Sequence, residues 1–255
     1  MSNPVFYAEA NELASLGVGA SFSLGGAEGR HAVTVKRLLP GEAVDLCDGA
    51  GLRLACTVTE SGAGVLTVRV EAVSPAEDDG LELVLVQALA KGDRDELAVE
   101  TATELGIDGV VPWQAERSIV RWKMDKALKG PVKWRNVVAM AAKQARRSRI
   151  PWVGELVGTP GLVELIGAAE LALILHEDAL DTLPEVVRAW RAQSPDAAPG
   201  RIVMIVGPEG GMSAAEVQAF LAAGARMALL GRHVLRSSTA GPAAVVLLSQ
   251  ELGRW

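Results

Sequence analysis

The sequence predicts an α/β protein in two parts, a small β-barrel followed by a larger domain built on a parallel sheet. Three observations predict it. The first seventy or so residues alternate short β-type runs with turn residues. The stretch Ser74-Pro75-Ala76-Glu77-Asp78-Asp79-Gly80 is polar, turn-rich and without apolar periodicity, which reads as a linker. Beyond it, strand-like apolar runs alternate with helical stretches, the pattern of a parallel sheet covered on both faces. A chain of 255 residues with 49% hydrophobic content can bury two cores of this kind. The expected boundaries are a barrel over 1–73, a linker over 74–80 and an α/β domain over 81–255.

Within the barrel, strands are expected at Phe22-Ser23-Leu24, Ala43 to Cys47, Leu52 to Val58 and Val65 to Val73, with one short helix from Gly29 to Leu39. In the second part the strands are Leu83 to Val86, Gly109 to Pro112, Leu171 to Leu175, Ile202 to Val206 and Met227 to Leu230. Helices fall near Asp93 to Leu105, Lys126 to Arg147, Leu180 to Arg191, Ser213 to Ala223 and Thr239 to Leu252.

The N-terminus MSNPVFYAEANE carries acids where a secretory signal needs an apolar core, and no apolar run approaches the ~18 residues of a membrane span, so a cytoplasmic protein with no membrane association is expected. Cys47 and Cys56 flank a turn at Asp48-Gly49-Ala50-Gly51. A hairpin there pairs Cys47 near Leu52 and leaves Cys56 out of reach, so free thiols are expected, and two cysteines without nearby histidines make no metal site. The net charge of −6 is unevenly spread. From Arg117 to Arg149 there are eleven Lys or Arg against Asp125 alone, so this stretch is +10 and the rest −16. A one-signed stretch of that size reads as a phosphate-facing surface. Trp113, Trp122, Trp134 and Trp152 lie in or beside it, as core anchors or as base-stacking platforms, with core the safer assignment for most.

The run Ile202 to Val206 leads directly into Gly207-Pro208-Glu209-Gly210-Gly211-Met212, after which Ser213 and Glu216 have the spacing of a capping box. This loop is either a tight strand-to-helix turn or a ligand loop at the carboxyl edge of a parallel sheet. Two other strand ends carry unusual loops, Leu175-His176-Glu177 and Leu229 to Ala240, and adjacent parallel strands would set all three side by side as a pocket. No G-x-G-x-x-G opens the first βαβ unit, no G-x-x-x-x-G-K-[ST] is present, and neither a magnesium carboxylate cluster nor a nucleophilic triad is visible.

These residues resemble the ribosomal RNA small subunit methyltransferase E family, knotted (SPOUT) enzymes that methylate N3 of a uridine in 16S ribosomal RNA with S-adenosylmethionine. The resemblance covers nearly the whole length. It runs from His31-Ala32-Val33-Thr34-Val35-Lys36-Arg37-Leu38 and Pro40-Gly41-Glu42 through Ala90-Lys91-Gly92-Asp93, Ala102-Thr103-Glu104-Leu105-Gly106, Glu116-Arg117-Ser118 and Gln144 to Pro151. It ends with GPEGG and, about twenty-five residues later, Leu235-Arg236. It implies a PUA-like first domain and a trefoil knot in the second, a feature too rare for periodicity to predict. It also implies a homodimer through the C-terminal domain, consistent with the apolar run Ala243 to Leu248, and a partner in the small ribosomal subunit. S-adenosylmethionine would be held largely by backbone atoms at Leu175, His176, Glu177, Gly207, Glu209, Gly210, Gly211, Leu230, Gly231 and Leu235. Two departures from the family stand out. Arg232-His233 replaces a usual Pro and its neighbour, and Ser237-Ser238 replaces the commoner Thr-Glu.

Arg236 and Glu209 are the candidate catalytic residues. An arginine in a ligand loop can clamp a carboxylate, a phosphate or a uracil oxygen, or it can pair with an acid elsewhere in the domain. Glu209 can order its loop by accepting backbone N–H bonds or take a proton from substrate. His233 has a suitable pKa range but sits at a departure, and His31 reads as packing or capping. Arg37, Arg117, Ser118, Gln144, Arg146 and Arg147 are the candidate RNA contacts, Arg37 evenly balanced against a packing or capping role and the others ahead of a solvated face. The competing reading of the whole chain is a non-catalytic RNA-binding or ribosome-assembly protein with a vestigial pocket.

Overall fold

The computed structural model describes residues 3–75, 80–193 and 200–255, so residues 76–79 of the expected linker lie outside the described residues. The chain divides into two compact units. One contains the chain up to residue 78 together with Ala142–Ile150, and the other contains residues 79–141 and Pro151–Trp255.

The first unit contains β1 (Val5–Tyr7), α1 (Ala10–Leu13), β2 (Ser21–Leu24), α2 (Gly26–Arg30), β3 (Ala43–Cys47), β4 (Arg53–Gly62) and β5 (Val65–Ser74). The strands form one sheet in the order β1-β3-β4-β5-β2, with β1 parallel to β3 and the other pairs antiparallel. Register shifts at Ala55/Cys56 and Val58/Glu60 mark irregularities in the long β4–β5 hairpin, the kind of local bend that curls a sheet around its core. Inward-facing residues alternate along it: Leu54, Cys56 and Val58 on β4 and Leu66, Val68 and Val70 on β5 are all buried, with Phe6, Leu13, Val44 and Leu46. The expected helix from Gly29 to Leu39 begins earlier, at Gly26, and ends sooner. α2 passes into a π-helical turn over His31–Val35, and Arg37 then stops it in the left-handed region at φ 54°. β1 and α1 carry no periodicity long enough to have been read from the sequence.

Cys47 pairs with Arg53, one position beyond the expected Leu52, and Cys56 pairs with Val44. Both thiols are free and buried, and burial pushes them up to about 11 and about 12. The Asp48 carboxylate makes the turn by accepting the N–H groups of Ala50, Gly51 and Leu52 at 2.7, 2.9 and 3.0 Å.

The second unit carries β6 (Leu81–Ala88), α3 (Arg94–Glu104), β7 (Gly109–Trp113), α4 (Asp125–Gln144), β8 (Trp152–Val153), α5 (Thr159–Gly167), β9 (Leu171–Leu175), α6 (Leu183–Gln193), β10 (Gly200–Val206), α7 (Ala214–Ala222), β11 (Arg226–Ala228) and α8 (Ser237–Leu252). Its six strands are all parallel, in the order β11-β9-β10-β6-β7-β8. Apolar runs read as strands buried on both faces are buried on both. Val84, Val86, Val111, Trp113, Ile174, Val203 and Ile205 pack on one side with Leu162 and Ile166 of α5 and Phe220 of α7. Leu85 of β6 meets Gly241 of α8 on the other. The helix α5 and the short strand β8 were missed in the sequence. α5 begins Thr-Pro-Gly, which looks like a turn until Pro160 is placed in the helix's first turn, where its missing N–H has no consequence. Among the described residues no helix is long and apolar enough to cross a membrane, and no group of three or more His, Cys, Asp or Glu is arranged to hold a metal ion.

Candidate functional site

The parallel order puts β11, β9 and β10 side by side, so their carboxyl ends share one edge. The loops that follow them enclose a cavity of about 1030 Å³. It is lined by Leu175, His176 and Glu177 after β9, by Gly207 to Met212 after β10, and by Leu229 to Ser237 after β11. All ten residues expected to hold a cofactor, Glu209 among them, are on its walls, together with Arg236.

The loop after β10 is both a tight turn and a pocket wall. Gly211 adopts φ +70° and donates its N–H to the Pro208 carbonyl at 2.9 Å, which reverses the chain. Met212 is buried beneath it, and a Cβ on Gly207 would lie 3.1 Å from the Met212 Cγ, so the glycine permits the close approach. The capping box forms as expected. Ser213 Oγ accepts the Glu216 N–H at 3.2 Å, and a Glu216 carboxylate oxygen accepts the Ser213 N–H at 2.8 Å. Its other oxygen accepts the Glu116 N–H at 2.7 Å and the Thr159 hydroxyl at 3.2 Å, so this buried acid ties α7 to two further segments.

The loops after β9 and β11 are stitched together. Leu229 donates its N–H to the Asp181 carbonyl and Leu183 donates to the Leu229 carbonyl, each at 2.9 Å. His176 Nδ1 accepts the Asp178 N–H at 3.2 Å, which orients the ring within its own loop. Arg236 stands at the N-terminal cap of α8, exposed, and among the described residues no hydrogen bond or ion pair holds its guanidinium. The alternative of an acid partner within the domain is thus without support. Next to it Ser237 is buried, its hydroxyl without a hydrogen-bond partner. Arg232 and His233 are exposed on the same wall, so with Arg236 this loop presents two arginines and no acid.

Glu209 is already engaged. Its Oε1 accepts the Lys91 N–H at 3.0 Å and the Arg94 guanidinium at 3.3 Å. Arg94 and Arg117 also line the cavity, and Arg117 donates to the Gly210 carbonyl at 3.4 Å. Arg94 escaped the sequence reading. Its only signal was its place directly after Ala90-Lys91-Gly92-Asp93, a stretch matched to the family without a role.

The candidate RNA contacts are in different settings. Arg37 is exposed, and no hydrogen bond or ion pair holds it among the described residues. Arg117 is exposed at the cavity. Ser118 must be corrected, since it is only 4% exposed with an enclosed hydroxyl and cannot reach an external ligand. Gln144, Arg146 and Arg147 belong to the segment that joins the first unit, which the expected boundary of 81–255 did not foresee. There, the Tyr7 hydroxyl donates to the Arg147 carbonyl at 2.7 Å, Arg53 donates to the Arg146 carbonyl at 2.6 Å, and Lys143 reaches Glu28 at 2.7 Å. Part of the basic stretch therefore works through its backbone and Lys143 as a fastening, leaving the side chains of Gln144 and Arg146 exposed. The tryptophans follow the core reading: Trp113 and Trp134 are fully buried, Trp122 packs edge-on against Trp134 with ring centroids 5.6 Å apart, and Trp152 covers Gly109.

Comparison with known proteins places this architecture. Residues 77–249 match the model of an RNA methyltransferase domain and residues 24–71 that of an RNA methyltransferase PUA domain. A Mycobacterium bovis protein named ribosomal RNA small subunit methyltransferase E is 39% identical over 244 residues, 93% of this chain and 89% of its own length. A Legionella pneumophila methyltransferase structure in complex with the bound cofactor SAM shares 27% identity at a TM-score of 0.78, covering 98% of each chain. A ribosomal RNA small subunit methyltransferase E from Neisseria gonorrhoeae bound to S-adenosylmethionine shares 26% identity at a TM-score of 0.77, again over 98% of each chain. On these grounds the chain belongs to the ribosomal RNA small subunit methyltransferase E family.

Proposed function

We propose that this protein methylates N3 of one uridine in 16S ribosomal RNA, using S-adenosylmethionine bound in the cavity at the carboxyl ends of β9, β10 and β11. The observation that carries the reading is that cavity: three adjacent parallel strand ends, glycine-bearing walls, and about 1030 Å³ of space. The residues fit such a cofactor. Leu175, Val206, Met212, Met227 and Leu230 offer apolar surface for a purine, Glu177 and Asp178 offer negative charge for a sulfonium and an ammonium, and the arginines offer donors for a carboxylate. A Cβ on Gly231 would meet nothing within 4 Å, so the loop after β11 leaves open space. The bound cofactor supplies an electrophilic methyl group on sulfur.

The chain's own task is then the nucleophile. N3 of uracil is a weakly acidic imide, and loss of its proton moves charge onto the flanking carbonyl oxygens. The unpaired Arg236 guanidinium, at the positive end of α8, is suited to stabilise that charge more than it stabilises neutral uracil. Glu209 is a poor candidate for the base, since protonating either of its oxygens would weaken the two hydrogen bonds that Oε1 accepts. The exposed Arg37, Arg117, Gln144 and Arg146 are suited to phosphate contacts.

The same reading includes a trefoil knot around the three loops and a homodimer through α8. Ala244, Val245 and Leu248 of that helix are buried, whereas Ala243, Val246 and Leu247 keep partial exposure that a second copy would cover. Calorimetry with S-adenosylmethionine tests the reading at its first step. Saturable binding with 1:1 stoichiometry is expected, and a folded protein that takes up none would return the chain to a non-catalytic RNA-binding role.

A further inference from the structure

We propose that Arg94 and Glu209 act as a pair of positioning residues that tie the loop after β6 to the loop after β10, and that this tie, with no proton transfer by Glu209, is what the glutamate of the GPEGG stretch supplies. The inference rests on the cavity being the cofactor site and adds a fourth strand end to it.

The loop after β6 is a strained turn. Gly92 and Asp93 both adopt left-handed backbone, at φ +62° and +56°, and the second is a conformation that a residue with a side chain rarely takes. The turn leaves the N–H groups of Ala90 and Lys91 pointing away from any strand partner, and two carboxylates receive them. Asp95, 5% exposed, accepts from Ala90 at 3.4 Å. Glu209, arriving from the neighbouring strand β10, accepts from Lys91 at 3.0 Å. The same Glu209 oxygen takes the Arg94 guanidinium at 3.3 Å, and Arg94 starts α3 immediately after the strained residue. One carboxylate oxygen therefore closes a bridge between two loops, and both ends of that bridge line the cavity.

A base must release its lone pair to a proton in every turnover. The oxygen facing Lys91 and Arg94 is instead a fixed acceptor, and protonating that carboxylate would weaken both bonds at once. Holding Glu209 fixes the Pro208 to Gly211 turn, whose backbone forms one wall. Loosening it should raise the concentration of cofactor needed to fill the site.

The test uses the full chain with Arg94→Ala, Arg94→Lys, Glu209→Gln, Glu209→Ala and the double alanine variant, read by calorimetry with S-adenosylmethionine and by methyl transfer to small ribosomal subunits across pH. Arg94→Ala should weaken cofactor binding about three- to tenfold, Arg94→Lys should recover most of it, and Glu209→Ala, which also abandons Lys91, should lose about tenfold or more. The double variant should be no weaker than Glu209→Ala alone. Glu209→Gln keeps an amide oxygen for Lys91, so its KM for the cofactor should rise without a change in the shape of the pH profile. The inference is overturned if Glu209→Gln binds cofactor normally yet loses a hundredfold in kcat along with one limb of the pH profile, which is the signature of a base. Additive losses in the double variant, or Arg94→Ala binding as the wild type does, overturn it too. A wild type that binds no S-adenosylmethionine would instead sink the functional reading beneath it.

Discussion

Two buried acids show how single residues set the stability of this protein. Glu216 is 3% exposed and accepts from Ser213, Glu116 and Thr159, so removing its carboxylate leaves three donors without an acceptor. The Ser213 N–H is buried and the other two donors partly so, and with about 1–3 kcal/mol for a buried group left unsatisfied, Glu216→Ala should lower unfolding free energy by about 2 kcal/mol or more in a denaturant titration. A loss under ~1 kcal/mol would mean that water replaces the carboxylate freely. Asp95 behaves differently, because burial raises its pKa above the ordinary carboxylate value despite the N–H groups of Ala90 and Glu96. A raised pKa means the folded state prefers the proton, so stability from this group is complete below the unfolded pKa and is lost as pH rises through the folded one. Melting temperatures of Asp95→Asn and wild type should therefore diverge in favour of the variant as pH climbs from about 4 toward neutrality. A gap independent of pH would contradict the assignment.

At the scale of elements, close approach decides which positions tolerate a side chain. Gly29 of α2 is pressed between two backbone carbonyls: a Cβ there would lie 2.3 Å from the Leu24 oxygen and 2.6 Å from that of Gly64. Gly29→Ala should destabilise the first unit by about 3 kcal/mol, at the upper end of overpacking effects since backbone must move, while Gly17→Ala, which meets nothing within 4 Å, should not. Circular dichroism melts of the two variants check this, and equal melting temperatures would refute it. The same physics explains what the sequence disclosed. Strands such as Leu171–Leu175 and Gly200–Val206 were legible because burial on both faces demands unbroken apolar runs. The three pocket loops were legible because the glycines and polar residues interrupt those runs at the same end of each strand. What stayed hidden was long-range: the Arg94–Glu209 bridge joins positions with no shared periodicity, and the fastening of Arg146 and Arg147 uses their carbonyls, which every residue possesses. Ser118 misled because a polar residue beside arginines reads as surface, whereas its side chain turns inward.

For the whole molecule, binding RNA and transforming it should be separable. Arg37→Ala removes an exposed cation far along the chain from the cavity loops, and it should weaken binding to small ribosomal subunits and shallow the salt dependence by about one unit, with turnover at saturation kept. Arg236→Ala should do the reverse. Losing one donor to developing charge lowers turnover about a hundredfold or more, with RNA affinity little changed. If Arg236→Ala retains turnover but loses S-adenosylmethionine affinity, that guanidinium is a cofactor clamp. Sedimentation at micromolar concentration should show a dimer, and a fully active monomer would remove α8 from that role. The identity of the methylated atom decides what this protein does. It is tested most directly by incubating small ribosomal subunits that lack the modification with this protein and S-adenosylmethionine, then digesting the RNA and mapping methylated nucleosides by mass spectrometry. 3-Methyluridine is expected at a single position, forming about a hundredfold more slowly with Arg236→Ala. A methyl on ribose, on carbon or on another base would contradict it.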